Sequence, residues 1–222
     1  MSDEDIKIHR GLNNVYFDRT KTTYINGKEG VLEYRGYNIH DLSEKSSFEE
    51  VSYLLLYGKL PTKNELDSFN KSLKESREIP SKIIDIIRSI KESHPMDVLR
   101  TAVSALSAFD EEASDKSYDA TMRKGIRLTS QVPTIVMAHN AIRTGKDPVE
   151  PSKELSHAAN FIYMLDGKIP SDSTASLMDK DFIVHADHGS NASAFAARVC
   201  AGTQADLHLS LIHISEPTRQ PC

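Results

Sequence analysis

The residues of this chain that are best suited to chemistry lie in the segment His185-Ala186-Asp187-His188-Gly189-Ser190-Asn191. Two histidines three positions apart enclose an aspartate, and a glycine separates them from Ser190 and Asn191, either of which could cap the helix that follows. Ring N–H donors would then lie beside a helix N-terminus, where backbone N–H groups have no partner inside the helix. This combination is typical of a binding site for a small anion.

The same two histidines, with Asp187 between them, could instead bind a metal ion, as His-Asp pairs do in some hydrolases. No second group of His, Asp or Glu follows in the sequence to complete a coordination shell. A purely structural role for both histidines is a third interpretation. A metal-dependent hydrolase that uses His185 and His188 therefore stays open as an alternative, which stoichiometric zinc or iron in the purified protein would favour.

The other histidines and Arg100 are less suggestive of a site. His94 and His139 each stand alone among residues of predicted helices, which indicates capping or hydrogen bonding within the core. Arg100 lies far before the candidate site, so we expect it to form an ion pair with a neighbouring acid. The histidines that we expect at the surface are His9, His40 and His157.

The composition is that of an ordinary soluble protein, with 222 residues of which 39% are hydrophobic and 27% charged. The net charge of −5 comes from mixed acidic and basic residues, which argues against binding to nucleic acid or to a membrane surface. The acidic residues 1–5 lack a secretory pattern, and no apolar run approaches the roughly 20 residues of a membrane span. Cys200 and Cys222 have no disulfide or zinc spacing. We therefore expect a cytoplasmic protein without a metal.

The elements that must position the site are mostly helical. Residues 15–34 are rich in Thr, Tyr, Val and Ile, and Asn26-Gly27 lies among them. Because Asn-Gly readily adopts a positive φ, a small β-hairpin is predicted there. Capping boxes at Ser47-x-x-Glu50 and Thr62-x-x-Glu65 open two helices. The helical spacing of apolar residues, with proline or glycine at the predicted helix ends, predicts later helices over 133–145, 151–167, 173–183 and 191–201. The predicted fold class is mainly α with one short N-terminal β-hairpin.

Several separated segments resemble the citrate synthase family, in the shorter archaeal and Gram-positive type that includes 2-methylcitrate synthases. The similar segments are residues 11–12, 21–30, 34–37, 54–61, 94–103 and the segment that begins at His185, in the family's order. The likeness covers residues 6–207. It implies a multi-helix homodimer with a large and a small domain. It also implies condensation of oxaloacetate with acetyl-CoA and water to give citrate and CoA, with acetyl-CoA as a substrate and no further cofactor.

The resemblance also implies roles for individual residues. In the family the second histidine of the H-A-D-H segment binds oxaloacetate, and that position is His188 here, with His185 in the same pocket. With Asn191 at the helix start, these are the predicted substrate-binding residues. The family's proton-transfer histidine lies in a later G-P-x-H-G-x-A-N type segment, and its catalytic aspartate lies later still. Neither segment occurs in this sequence, so we predict no catalytic residue in this chain and no activity for the chain alone.

The last residues of the sequence depart from the family pattern. Residues 209–219 resemble one reading frame of a transposase adaptor that is used in sequencing libraries. We therefore interpret residues 1–207 as the N-terminal part of a citrate synthase large domain, truncated before most of the small domain, and residues 208–222 as a non-native tail. The genomic sequence downstream of codon 207 tests this interpretation, because a gene that encodes the tail without an adaptor would contradict it.

Two further functions stay open beside citrate synthase and the hydrolase. One is the same condensation with propionyl-CoA, which would make the protein a 2-methylcitrate synthase. The other is a non-catalytic helical dimerisation fragment. An assay for CoA release distinguishes the enzyme from the fragment, and comparison of the two acyl-CoA substrates distinguishes the two synthases.

Overall fold

A small β-sheet comes first among the elements that the structure describes. The structure is a computed structural model, and it describes residues 19–189, 192–203 and 205–208. Strand β1 (Thr23–Asn26) pairs antiparallel with β2 (Val31–Tyr34), so that Thr23 lies opposite Tyr34. Strand β3 (Tyr37–Asn38) pairs with the other edge of β2. The predicted N-terminal hairpin is confirmed.

The positive φ values in the turns of this sheet do not lie at Asn26-Gly27, the dipeptide on which the hairpin prediction rested. Four residues, 27–30, join β1 to β2, and the positive φ of +67° belongs to Gly30. The tight two-residue turn lies between β2 and β3 instead, where Arg35 has a φ of +52° and Gly36 a φ of +87°. Two consecutive left-handed residues are typical of a type I′ turn, whose twist matches that of the flanking strands.

Nine α-helices follow within the described ranges, which confirms the mainly α class. They are α1 (Ile39–Lys45), α2 (Phe48–Tyr57), α3 (Lys63–Glu75), α4 (Ser81–Ser89), α5 (Pro95–Leu106), α6 (Tyr118–Arg143), α7 (His157–Asp166), α8 (Asp172–His185) and α9 (Ala192–Gly202), with a 3₁₀ turn at Ser107–Phe109. In this part of the chain no helix is both long and apolar enough to cross a lipid bilayer.

Both predicted capping boxes are present. The Ser47 hydroxyl accepts a hydrogen bond from the backbone N–H of Glu50, and the Glu50 carboxylate accepts one from the backbone N–H of Ser47 at 2.8 Å. Thr62 and Glu65 form the same reciprocal pair at the start of α3. Because each box satisfies two backbone donors with residues three positions apart, the local sequence is sufficient to predict these helix starts.

Helix α6 corrects the predicted helix start at Pro133. The helix begins at Tyr118 and continues through the proline to its end at Arg143. A proline inside a helix removes one hydrogen bond and costs about 3 kcal/mol. Helix α6 nevertheless packs against α3, α4, α5 and α7, and it buries Leu128 and Ile135 on either side of Pro133. The burial of apolar surface on several sides therefore outweighs the local cost of the proline.

The core consists of three clusters of buried side chains. The first joins α4, α5 and α6. The second joins the sheet to α1, α2 and α8 and contains Tyr34, Ile39, Leu42, Val51, Leu54 and Ile183. The third joins α2, α3 and α6 around Phe69. The second cluster matters for function, because it fixes the hairpin against the helix that leads into the segment after His185.

The expectation that His157 lies at the surface is wrong. Only 5% of this residue is exposed, and its ring packs between those of Phe48 and Phe182, with centroid distances of 4.8 and 5.6 Å. His157 is the first residue of α7, after the capping residue Ser156. A polar residue next to a cap is usually solvated, but this helix end is covered by α2 and α8.

The expectations for most of the other basic residues are confirmed. The ring of His94 accepts a hydrogen bond from the backbone N–H of Met96 at the start of α5. The buried His139 lies 3.1 Å from the carbonyl oxygen of Lys91. Arg100 pairs with Asp97 at 3.1 Å. His40 is exposed, and His9 lies outside the described residues.

Candidate functional site

The candidate site is the loop that follows α8, composed of residues 186–189. His188 is exposed on this loop, and no hydrogen bond to its imidazole occurs among the described residues. Its neighbours in the chain, Asp187 and Gly189, are both half-buried. The loop therefore presents one imidazole to the solvent while the residues on either side of it contact the protein.

The hydroxyl of Tyr34 holds the loop by its backbone. Tyr34 is fully buried, and its hydroxyl donates to the carbonyl oxygen of Val184 at 3.1 Å while it accepts the backbone N–H of Asp187 at 3.2 Å. Burial raises the pKa of Tyr34, so the hydroxyl keeps the proton that it donates. One side chain thus joins the last turn of α8 to the residue before His188.

Two further contacts fix the loop against the hairpin. The Thr23 hydroxyl donates to the carboxylate of Asp187. Gly189 has a φ of +64°, and a Cβ added there would lie 3.6 Å from Cδ1 of Ile25. A glycine is favoured here because the backbone is left-handed. The hairpin therefore contacts the loop on both sides of His188.

The other predicted site residues have different surroundings. His185 ends α8, and its Nδ1 lies 2.8 Å from the backbone carbonyl oxygen of Asp181 and 3.5 Å from the carboxylate of the same residue. Its ring is therefore tied to its own helix. Asn191 lies outside the described residues.

A cleft of about 200 Å³ opens beside the loop. It is lined by Thr20, Thr22, Asp187, Gly189, Ala194, Phe195 and Arg198. Neither His185 nor His188 is among these lining residues. The lining combines two hydroxyls, one carboxylate, one aromatic ring and one guanidinium, a set that can bind a small polar molecule with an anionic group.

Arg198 is the cationic residue of this cleft, and it was not among the site residues predicted from the sequence. It lies four positions after Ala194 on α9, and residues at that spacing share one helix face. Its position relative to the predicted helix start could have identified it. A cation one to two turns into this helix lies on the same face as the small residues of the first turn. Arg198 supplies a positive charge to the cleft.

A buried polar cluster joins α8 to α2 and α7. Both carboxylate oxygens of Asp179 lie 3.2 Å from the backbone nitrogen of Phe48, whose N–H they accept. The buried Glu49 accepts the backbone N–H of His157 at 2.8 Å. The pKa of Asp179 is raised to about 6, because burial and the nearby charges of Glu49 and Glu50 raise it more than the Phe48 N–H lowers it.

The second half of this cluster consists of His157 and Arg77. Burial, together with the positive charge of Arg77, lowers the pKa of His157 to about 4. Arg77 is 2% exposed and donates to the carbonyl oxygens of Ser152 and Leu155. These strongly shifted groups lie between helices and are not among the residues that line the cleft.

The described residues contain no group of three or more His, Cys, Asp or Glu side chains that could hold a metal ion. His185 and His188 therefore lack a third protein ligand within this part of the chain.

Comparison with known sequences identifies the family. A family model described as "Citrate synthase, C-terminal domain" matches residues 11–213. The chain is 42% identical to "Citrate synthase" of Haloferax volcanii over 207 residues, which covers 91% of this chain and 55% of that protein. It is 37% identical to "2-methylcitrate synthase" of Mycobacterium tuberculosis over 207 residues, which covers 93% of this chain and 52% of that protein.

Two solved structures resemble the fold. Citrate synthase from Pyrobaculum aerophilum matches with a TM-score of 0.90 at 37% identity, over 96% of this chain and 56% of that chain. Citrate synthase from Thermoplasma acidophilum, in a ternary complex with carboxymethyl coenzyme A and oxaloacetate, matches with a TM-score of 0.87 at 26% identity, over 93% of this chain and 55% of that chain. The chain spans about half the length of the curated relatives that it matches.

Proposed function

Because the chain belongs to the citrate synthase family, we propose that it forms the oxaloacetate-binding part of an enzyme that condenses oxaloacetate with acetyl-CoA. In this reaction the methyl carbon of the acetyl group attacks the keto carbon of oxaloacetate, and hydrolysis of the thioester releases citrate and CoA. The activity is proposed for a protein that contains both this chain and the part of its relatives that has no counterpart here.

The exposed imidazole of His188 is the observation that carries the proposal. A histidine N–H can donate to the keto oxygen or to a carboxylate of oxaloacetate, and a donor to the keto oxygen would stabilise the negative charge that develops there during attack. The loop contacts of Asp187 and Gly189 support this role, since a donor is most effective when its position is fixed before the substrate arrives.

Other residues would contribute charge and orientation. Arg198 in the adjacent cleft would attract the dianionic oxaloacetate. His185 and Asn191 remain predicted substrate-binding residues. Because the Nδ1 of His185 is already within hydrogen-bonding distance of Asp181, its Nε2 would be the atom that reaches a ligand.

The chain would bind substrate without carrying out the chemical steps. We assign no general acid or base of the condensation to a residue of this chain, so we expect no CoA release from it alone. A homodimer and a cytoplasmic location belong to the same proposal and follow from the family resemblance.

A propionyl-CoA-dependent 2-methylcitrate synthase is the second candidate. It is favoured by the 37% identity to the relative of that name, which is close to the 42% identity to the Haloferax relative. Both enzymes would use oxaloacetate, so the proposed role of His188 is the same in each.

The binding step can be tested on the chain itself. Oxaloacetate is titrated into the purified protein while the imidazole resonances are followed by ¹H–¹⁵N NMR, and the signal of His188 is assigned from His188→Gln. We expect the His188 signal to shift on addition of oxaloacetate, and we expect the Kd, followed on the remaining imidazole signals, to rise in His188→Gln. The matched control is His40→Gln, which removes an exposed histidine on α1. An unchanged His188 signal at saturating oxaloacetate would refute the proposed role.

The chemical step is tested by thiol release with acetyl-CoA and with propionyl-CoA. We expect no release from the chain alone. Turnover by the purified chain would contradict the assignment of the acid–base residues to another part of the protein, and the preferred acyl-CoA would then distinguish the two synthases.

A further inference from the structure

We propose that the hydroxyls of Thr23 and Tyr34 are positioning groups that set the orientation of His188 toward oxaloacetate. The proposal rests on the proposed function, and it adds the hairpin, an element at the opposite end of the chain, to the substrate site. Neither hydroxyl would touch the substrate. Both would act through Asp187, the residue immediately before His188.

The two hydroxyls hold Asp187 at different atoms. The Tyr34 hydroxyl accepts its backbone N–H at 3.2 Å, and the Thr23 hydroxyl donates to its carboxylate. A residue held by its main chain and by its side chain has little freedom to rotate. The peptide plane between Ala186 and Asp187 and the side chain of Asp187 are therefore restrained before any ligand binds.

The two hydroxyls also have a common origin in the sheet. Thr23 and Tyr34 are directly opposite each other in the antiparallel pairing of β1 and β2. The Tyr34 ring is fully buried in the cluster with Leu54 and Ile183, so the cross-strand pair is anchored in the core. Because these hydroxyls are fixed by the core, their hydrogen bonds to Asp187 restrict the movement of the loop.

The hairpin also contacts the residue after His188. Gly189 lies next to Ile25, two positions along the strand from Thr23. Contacts before and after His188 leave its side chain as the part of the loop with the most freedom. Since packing of the Tyr34 ring alone would not require its hydroxyl to bridge Val184 and Asp187, the bridge points to a role beyond filling the core.

The first test uses Tyr34→Phe, which keeps the ring and removes the hydroxyl. We expect hydrogen exchange of the Asp187 amide to become about tenfold faster and the Kd for oxaloacetate to rise about fivefold, as expected for one lost hydrogen bond. The control is Tyr24→Phe, which removes an exposed hydroxyl from the same hairpin and should change neither value.

A second pair of variants keeps the proposal testable if Tyr34→Phe folds poorly. Thr23→Val removes the hydroxyl and keeps the branched shape, so we expect weaker oxaloacetate binding. Thr23→Ser restores the hydroxyl and should restore binding. Equal binding by Thr23→Val and Thr23→Ser would overturn the role of this hydroxyl.

A double-mutant cycle separates positioning from general stabilisation. If Tyr34 acts through His188, Tyr34→Phe should raise the Kd in the wild-type background and have no further effect in the His188→Gln background. A full fivefold effect in both backgrounds would overturn the proposal. The comparison requires residual binding in His188→Gln, for which Arg198 in the adjacent cleft would supply a cationic contact.

The ligand-free chain distinguishes failure of this inference from failure of the proposed function. If oxaloacetate does not bind to the wild-type chain, the proposed function fails. Amide exchange at Asp187 and the line width of the His188 imidazole signal still report on positioning in that case. Unchanged exchange and line width in both Tyr34→Phe and Thr23→Val would overturn the inference whether or not oxaloacetate binds.

Discussion

The carboxylate of Asp179 accepts the backbone N–H of Phe48 with both oxygens, at 3.2 Å each, across 131 positions of sequence. Phe48 is the first residue of α2, and its N–H is one of the donors that the helix cannot satisfy internally. Helix α8 thus supplies an acceptor to the start of α2, in addition to the local capping box. The ionisation of Asp179 consequently affects how firmly the two helices are joined.

The raised pKa of Asp179 predicts a pH dependence of stability. Its pKa is about 6 in the folded protein and about 3.9 in an unfolded chain, so the folded state binds more protons between these values. The contribution of Asp179 is therefore fully present below pH 4 and is lost as the pH rises through 6. We expect Asp179→Asn to be more stable than wild type at pH 7.5 by about 1 kcal/mol, after allowance for solvent screening, and equally stable at pH 4.

Urea unfolding at the two pH values measures this difference. Asp67→Asn, which removes an exposed carboxylate from α3, is the matched control and should leave the pH dependence as in wild type. A difference between Asp179→Asn and wild type that is the same at both pH values would contradict the prediction.

His157 predicts a pH dependence of the opposite sign. Its pKa is about 4 in the folded protein and 6.5 in the unfolded chain, so its contribution is present above pH 6.5 and is lost as the pH falls toward 4. The expected loss at pH 5 is about 2 kcal/mol. His157→Phe keeps a ring between Phe48 and Phe182 and should lack this loss. Thermal or urea unfolding at pH 7.5 and 5 tests this prediction, with His40→Gln as the control. A loss of stability in His157→Phe as large as that in wild type would refute it.

Gly189 and Gly30 form a matched pair for testing the loop. Both have a positive φ, of +64° and +67°, and in neither case would an added Cβ meet an atom closer than 3.6 Å. Alanine at either position should cost about 1 kcal/mol of stability, because the left-handed backbone is strained for a residue with a Cβ. Only Gly189→Ala should also shift the His188 imidazole signal in NMR spectra and weaken oxaloacetate binding. The same spectral shift in Gly30→Ala would show that the effect is not local to the loop.

Arg127 and Arg123 both contact Glu112, but we expect different effects from their loss. Arg127 also binds both oxygens of Asp110 at 2.8 Å, and the Asp110 side chain is only 9% exposed. Arg127→Met should cost about 2 kcal/mol in urea unfolding, since it leaves a buried carboxylate without its guanidinium partner. Arg123→Met removes only a half-exposed pair and should have little measurable effect. Equal losses in the two variants would mean that the burial of Asp110 is not what makes the Arg127 pair important.

Features that depend on three or four neighbouring residues were predictable from the sequence. The capping boxes at Ser47 and Thr62 and the hairpin around residues 23–34 belong to this group. The prediction that His188 binds substrate also depends only on local sequence, because a histidine next to a glycine and a possible helix cap has a chemical meaning that does not require the fold.

Features that depend on distant contacts were not predictable in the same way. The burial of His157 is caused by two helices that lie far from it in sequence, and Pro133 is tolerated because α6 packs on several sides. The contact between Tyr34 and Asp187 spans 153 positions, and no local pattern indicates that a strand tyrosine will meet a particular loop.

The bridge formed by Tyr34 also has a consequence for biosynthesis. Val184, which accepts its proton, follows Tyr34 by 150 residues. At a synthesis rate of about 5–20 residues per second, the ribosome adds these residues in roughly 8–30 s. During that interval Ile183 is also absent from the cluster around Tyr34. The hairpin of a nascent chain therefore exposes an unfinished apolar surface to chaperones until α8 leaves the exit tunnel, and the loop of residues 186–189 is among the last parts of the described fold to form.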